Sequence, residues 1–293
     1  MGANMIVMKS IVFTTVCFIL SWITPLSASG EKYLPFNENL VKEAASVPEA
    51  VDNITNVLEQ QGFDIFGVVD HAANAASVGL DLGPTQLILF SDRGVETALI
   101  HEAQTLAIEF PLKILVWEDD DGSINHFYNG PGYLVDRHRL QLRDRHLAKI
   151  AKTVRQFGDL DNGLITIDSP FTVDQTITNL KNAIEALADS GFRVPFIIDF
   201  QSDNQHEIVH LSPATLLIFG NPNVGTLLMQ NQRRIGVDLP QKFLVWEDQD
   251  GQTHITYNDI FFLAKRHDLQ GVEKNLENIS NGLVNFVKLA TQE

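Results

Sequence analysis

The sequence predicts an α+β fold made of two tandem copies of one small domain, and three observations predict it. First, the block from Lys113 to Gly122 returns, 129 residues later, as Lys242 to Gly251. That offset holds without a gap from Gly62-Phe63 and Gly191-Phe192 to Arg137-His138 and Arg266-His267. A register kept over so many landmarks is the mark of an internal duplication. Second, each copy mixes helix-period segments with short apolar runs in an order that does not alternate strand and helix, which separates α+β from a βαβ array. Third, the chain has 293 residues, 44% hydrophobic and 20% charged. That is enough for two cored domains, and it excludes disordered, collagenous and coiled-coil chains.

Each copy opens with a capping box: Ser46-Val47-Pro48-Glu49 in the first, Thr172-Val173-Asp174-Gln175 in the second. Val173, Ile177, Leu180, Ile184 and Leu187 then recur at helical spacing, and Gly62 and Gly191 supply the stops. The first helix is expected to be three residues shorter than its counterpart. Short apolar runs follow as strands, Phe66 to Val69 with Phe196 to Ile198, then Leu87 to Phe90 with Leu216 to Phe219. A helical stretch from Thr97 to Leu106, matched by Thr226 to Ile235, precedes a hairpin. That hairpin pairs Ile114 to Glu118 with Ile124 to Tyr128 around the turn Asp121-Gly122. An amphipathic helix closes each copy, with Leu140, Leu147, Ile150, Val154 and Phe157 matching Leu269, Leu276, Ile279, Leu283 and Phe286. The domains are read as 30–157 and 164–293, with 158–163 as a short linker.

Residues 1–29 have the pattern of an export signal. Lys9 precedes an apolar run from Ile11 to Ile23, Pro25 breaks it, and Ser27-Ala28-Ser29-Gly30 supplies small residues for cleavage. The run is shorter than the roughly 20 residues a bilayer demands. The alternative is an uncleaved anchor, with Met5 to Met8 extending the run across Lys9. The single cysteine, Cys17, lies inside that run, so neither disulfide nor thiol chemistry is expected. The reading is a periplasmic or secreted protein with no stable membrane span after cleavage. Lys plus Arg number 21 against 37 Asp plus Glu, a net charge of -16. This balance argues against nucleic acid and anionic membrane surfaces as partners.

Taken together, several landmarks resemble the domain of unknown function 302 family. They are Gly-Phe after the first helix, Asp70-His71 after the strand, Phe219-Gly220-Asn221-Pro222, Thr226-Leu227-Leu228-Met229-Gln230, Leu239-Pro240, the Trp-Glu-Asp hairpin, Tyr257-Asn258 and Arg266-His267-Asp268-Leu269. The resemblance covers both halves. It implies a compact α+β fold in small, often self-associating domains with no established activity. Two fused copies would then pack as a pseudo-symmetric pair, and further self-association is open. The copies depart from the pattern differently. The first has Ser91-Asp92-Arg93 where the second keeps Gly220-Asn221-Pro222, and the second has Asp199-Phe200 in place of Asp70-His71.

The candidate ligand-binding residues are Asp70, His71, Glu118, Arg137 and His138 in the first copy, with Glu247, Arg266 and His267 in the second. Arginine can grip an anionic group while histidine exchanges protons. The opposing reading is an ion pair from Glu118 and Glu247 to the arginines that clamps the closing helices to the sheets. His206-Glu207-Ile208-Val209-His210 has the spacing of a zinc-hydrolase helix, but no obvious third ligand follows it, Glu247 and His254 being the nearest candidates. Pro213 cuts that helix short and the first copy lacks the string, so no metal site is expected. Glu118-Asp119-Asp120-Asp121-Gly122 suits a hairpin turn better than a calcium loop. The basic run from Arg137 to Arg155 reads as a solvated helix face. No phosphate loop, nucleophile elbow or triad spacing is visible, and no cofactor is expected. The leading function is a non-enzymatic module for a small ligand or protein partner; the alternative is a metal-dependent hydrolase using His206, Glu207 and His210.

Overall fold

The computed structural model describes residue 41 and residues 43–140, 162–203 and 211–292. The expected export signal, the expected closing helix of the first copy after Leu140, most of the basic run and the string from 206 to 210 lie outside the described residues.

The first copy opens with α1 (Val47–Gln60), followed by β1 (Asp64–Asp70), the short α2 (His71–Ala76) and β2 (Thr85–Ser91). Next come α3 (Arg93–Glu102), a 3-10 helix at Gln104–Glu109, the hairpin β3 (Leu112–Glu118) and β4 (Ile124–Tyr128), and α4 (Pro131–Arg137). The second copy begins with β5 (Leu164–Ser169) and α5 (Val173–Glu185), then β6 (Arg193–Asp199), α6 (Phe200–Asp203) and β7 (Ala214–Gly220). It continues with α7 (Pro222–Asn231), a 3-10 helix at Arg233–Asp238, β8 (Gln241–Glu247), β9 (Thr253–Asn258), α8 (Ile260–His267) and α9 (Glu273–Thr291).

The helix starts follow from their caps. Ser46 Oγ accepts from Glu49 N at 3.3 Å while the Glu49 carboxylate accepts from Ala45 N at 2.8 Å, satisfying two donors that a helix start leaves over. Thr172 accepts from Gln175 N in the same way. Val47, Ala50, Val51, Ile54 and Leu58 form the buried stripe of α1. The first helix is not the shorter one. The three extra residues of the second copy enter a 3-10 turn at Ala188–Ser190 before Gly191, whose φ of 95° matches the 88° of Gly62. The helices before the hairpins begin earlier than their apolar spacing suggests, because Asp92 and Asn221 cap them, and both tighten into 3-10 turns.

All strand pairs are antiparallel, in the orders β1-β2-β3-β4 and β5-β9-β8-β7-β6. Each sheet has two covered faces. One face lies under its own helices: Leu217, Phe243, Val245 and Ile255 pack on Leu180, Ile184, Leu283 and Phe286. The other copy covers the second face. Ile100, Leu106, Ile108 and Phe110 lie on Ile198, Leu216, Ile218 and Leu244. Reciprocally, Val237 lies on Leu87, Leu89, Leu115 and Trp117, while Met229, Ile235 and Leu239 meet Ala75 and Leu82. The two copies are therefore a pseudo-symmetric pair with shared cores. Hydrogen bonds repeat the exchange. Gln104 Nε2 donates to the Glu247 carbonyl at 2.8 Å, and its counterpart Arg233 donates to the Gly83 carbonyl at 2.9 Å.

The hairpin turns have the same geometry in both copies. Gly122 and Gly251 adopt φ of 83° and 81°, and Asp119 and Asp248 accept the turn's hydrogen bonds. Arg137-His138 and Arg266-His267 do not begin the closing helices; they end α4 and α8. Arg139 and Asp268 then take left-handed φ of 54° and 56°, which a helix cannot continue through. At Gly163 a Cβ would overlap the Phe262 ring, and its carbonyl accepts from Arg137.

Candidate functional site

The repeated Arg-His pairs meet buried acids that differ between the copies. Arg137 Nη1 donates to Glu109 Oε1 at 2.7 Å and His138 Nε2 donates to the same oxygen at 3.3 Å. In the second copy Arg266 Nη1 and His267 Nε2 both donate to Asp238 Oδ2, at 2.6 and 2.7 Å. Each arginine also crosses to the other copy. Arg137 reaches Asn258 Oδ1 at 2.5 Å and the carbonyls of Asn162 and Gly163, and Arg266 reaches Asn129 Oδ1 at 2.6 Å. Asn129 and Asn258 thus bind guanidiniums, while Asp259 caps α8. Tyr133 lies between the arginines, with Arg266 3.9 Å and Arg137 5.5 Å from its ring centre.

These contacts set the charges. Burial opposes ionisation of Glu109, but Arg137, the His138 hydrogen bond and Lys113 together hold it well below the carboxylate range. Asp238 is likewise lowered, with burial outweighed by His267 and Arg266. Burial alone would weaken the Arg137 cation, yet Glu109 raises it above its ordinary value. Burial, then the two anions, raises Tyr133. Ionised pairs of this kind hold two chain segments in one register, because leaving either partner alone in the interior is expensive. Glu109 and Asp238 are the acids the repeat reading missed. They occupy one offset but differ in type, so identity matching passes over them; the usable signal is an acid four residues before Lys113 and Lys242 in both copies.

A second feature is a cavity of about 530 Å³ where the first copy's β1–α2 corner meets the second copy. Its walls are largely apolar, from Val68, Phe192, Phe196, Leu228, Ile279 and Leu283 among others. Two buried polar atoms on its lining residues, Thr226 Oγ1 and Gln241 Oε1, have no hydrogen-bond partner. Asp70 and His71 also line it. Asp70 caps α2 by accepting from Ala73 N at 2.7 Å and accepts from Gln86 at 3.0 Å. His71 is buried and donates to the Gly236 carbonyl at 3.3 Å; burial lowers its pKa to about 4.

Of the sequence candidates, then, Asp70 and His71 meet at this cavity, and Arg137, His138, Arg266 and His267 form the two ion clusters. Glu118 and Glu247 end β3 and β8, and neither residue is the carboxylate partner of the arginines. His206, Glu207 and His210 lie outside the described residues. His254 has both ring nitrogens engaged, by Asp168 and Asp248 at 2.9 Å each.

Two glycines stand at the cavity wall. Gly220 and Gly225 line it in the second copy, and at the same offset the first copy carries Ser91 and Glu96. Glu96 is buried and accepts a hydrogen bond from Ser91.

Fold and site together define a class: a duplicated α+β protein whose halves shield each other's sheets and enclose an apolar cavity with a few polar groups. Residues 40–157 and 165–285 each match the Domain of unknown function DUF302, and the chain belongs to that family as a tandem pair. Among curated proteins it is similar to Fluoride-specific ion channel FluC 1 of Brucella suis biovar 1, 39% identical over 110 residues, 38% of this chain and 42% of that protein. The same-named protein of Brucella abortus biovar 1 is also 39% identical, over 38% of this chain and 40% of its own. The chain thus spans about two-fifths of the length of these relatives. Among the described residues no helix is long and apolar enough to cross a membrane. A solved structure, the uncharacterized conserved protein DUF302 from Bacillus stearothermophilus, matches at 19% identity with a TM-score of 0.39, over 44% of this chain and 98% of that one.

Proposed function

We propose that this is an exported, non-enzymatic binding protein whose second copy holds a small, mainly apolar ligand with a polar end. The cavity carries the reading. A volume of about 530 Å³ falls within the range of small-molecule sites, and such sites combine apolar walls with a few placed polar groups. Thr226 and Gln241 supply those groups. Each leaves a buried polar atom unsatisfied, at a typical penalty of about 1–3 kcal/mol that a ligand hydrogen bond would relieve. Asp70 and His71 belong to this site, and the Arg-His clusters fix the copies around it.

The test is thermal shift and calorimetric titration of the full chain with medium-chain alcohols, acids and aromatic amides, run beside Gly225→Glu. That substitution places in the second copy the side chain found at Glu96. The expected result is saturable stabilisation of the parent by at least one compound class, lost in the variant. No response from any class, or an equal response from Gly225→Glu, would refute the cavity as the binding site. Export rests on the run from Ile11 to Ile23 and the small residues after it. An intact mass of protein recovered outside the cytoplasm should place the new N-terminus between Ala28 and Glu31; a mass retaining Met1 excludes cleavage.

A further inference from the structure

We propose a second binding site, for one halide-sized anion, at the pseudo-twofold axis between Lys113 and Lys242. The two lysines stand at the same offset, each the second residue of a strand, paired in register with Leu89 and Ile218. Both are buried in the interface, 7% and 4% exposed. They line a cavity of about 10 Å³, the volume of one water-sized particle, together with further residues related by the repeat: Leu89 and Ile218, Phe110 and Leu239, Pro111 and Pro240. Apart from the amines this lining is apolar.

The charges around these amines are unequal. Glu109 and Asp238 are already in hydrogen-bond contact with Arg137 and Arg266, one guanidinium for each carboxylate. The lysines come in addition. Lys113 Nζ is 3.7 Å from Glu109 Oε2, beyond hydrogen-bond reach, and finds no oxygen acceptor. Lys242 Nζ reaches only the Asp238 carbonyl, at 3.4 Å. Burial, then the facing Lys113, pushes Lys242 well below the ordinary lysine range, so its amine gives up its proton readily and meets Lys113 as a hydrogen-bond partner. Buried charges persist when they are paired, and a monovalent anion beside the two amines restores the Lys242 proton and pairs both cations at once. The size of the cavity selects a halide and rejects sulfate or phosphate. Val69, Phe196, Leu239 and Pro240 line both this cavity and the large one, so the two are neighbours.

The site is independent of the ligand cavity, and its test uses a different probe. The full chain is melted in sodium fluoride and in sodium chloride, against sodium sulfate at equal ionic strength. The expected result is a halide-specific rise in Tm, about 3–6 °C for each tenfold increase above the dissociation constant. Lys113→Met and Lys242→Met should each abolish it. Because a variant could fail to fold, chloride-35 NMR line broadening of the parent, with competition by fluoride, supplies a second readout. Equal shifts in halide and sulfate, no broadening, or a halide response kept by both folded lysine variants would overturn the proposal.

Discussion

Comparing the two copies at one corner shows how a duplicated fold divides its tasks. Around β7 and α7 the second copy has Gly220 and Gly225, and a cavity opens. Around β2 and α3 the first copy has Ser91 and Glu96, whose side chains bond each other inside. The reverse asymmetry sits at the β1–α2 and β6–α6 corners. There the first copy has His71, bonded to the Gly236 carbonyl, and the second has Phe200, which is fully buried. The backbone is kept and the interior differs. The pair of ion clusters, by contrast, is retained on both sides with only Glu109 exchanged for Asp238. Symmetry is preserved where the copies hold each other and lost where one of them has room for a ligand.

Three experiments break or sharpen this comparison. The largest effect should come from separating the copies between Asp161 and Asn162. Each sheet would lose the cover of one face, and each buried aliphatic or aromatic side chain is worth roughly 1.5–3 kcal/mol. Neither copy should keep a cooperative transition at the parental temperature, while mixing the two should restore one; fragments that melt unchanged and alone would show the shared cores to be dispensable.

The next effect concerns the clusters. Arg137→Ala takes the guanidinium from buried Glu109 and leaves it His138, Asn129 and Lys113, each at 3.3 Å or more; loss of one partner from a buried pair costs about 3–5 kcal/mol. The Arg137 side chain is 2% exposed and that of Arg266 is 15% exposed, so Arg266→Ala should cost less. Urea denaturation of both variants measures the ranking. Equal costs would mean that exposure does not set the strength of these clusters.

The smallest effect is a pH slope. His71 has its pKa lowered from 6.5 to about 4 by burial, so between these values the unfolded chain binds a proton that the folded chain refuses. Its contribution is present above pH 6.5 and fades as the pH falls toward 4, by up to about 3 kcal/mol. The depressed carboxylates of Glu109 and Asp238 lose theirs only at lower pH, below about 4.5. His71→Phe, which copies Phe200, should flatten the upper window and leave the lower one. Denaturation midpoints at pH 4.5, 5.5 and 7 read this, and an unchanged slope would assign it to another group.

Much of the fold was legible in the sequence because local signals carry it. The caps Ser46 and Thr172, the stops Gly62 and Gly191, the hairpin glycines and the apolar strands all report on their own neighbourhood. The repeat then doubled each signal. What remained hidden depends on distant partners. No periodicity says that Phe110 belongs on the sheet of the other copy. Arg137 and Arg266 were visible as repeated residues, yet their acids were not, because Glu109 and Asp238 differ in type. The end of α4 and of α8 was missed because it turns on left-handed Arg139 and Asp268, residue types that do not announce that conformation. The cavity was hidden for a similar reason. Gly220 stood out as a family landmark, but only the packed structure shows that it lines a cavity.

The reciprocal cover of the two sheets has a further consequence. In a dimer of separate chains, association depends on protein concentration, and every substitution appears on both sides of the axis at once. Joining the halves replaces that bimolecular step with an intramolecular one at a high, fixed effective concentration. Dilution cannot part them, and each half is free to change alone. A glycine in one half and a glutamate in the other can coexist in every molecule, so the tandem chain is an obligate heterodimer encoded as a single polypeptide.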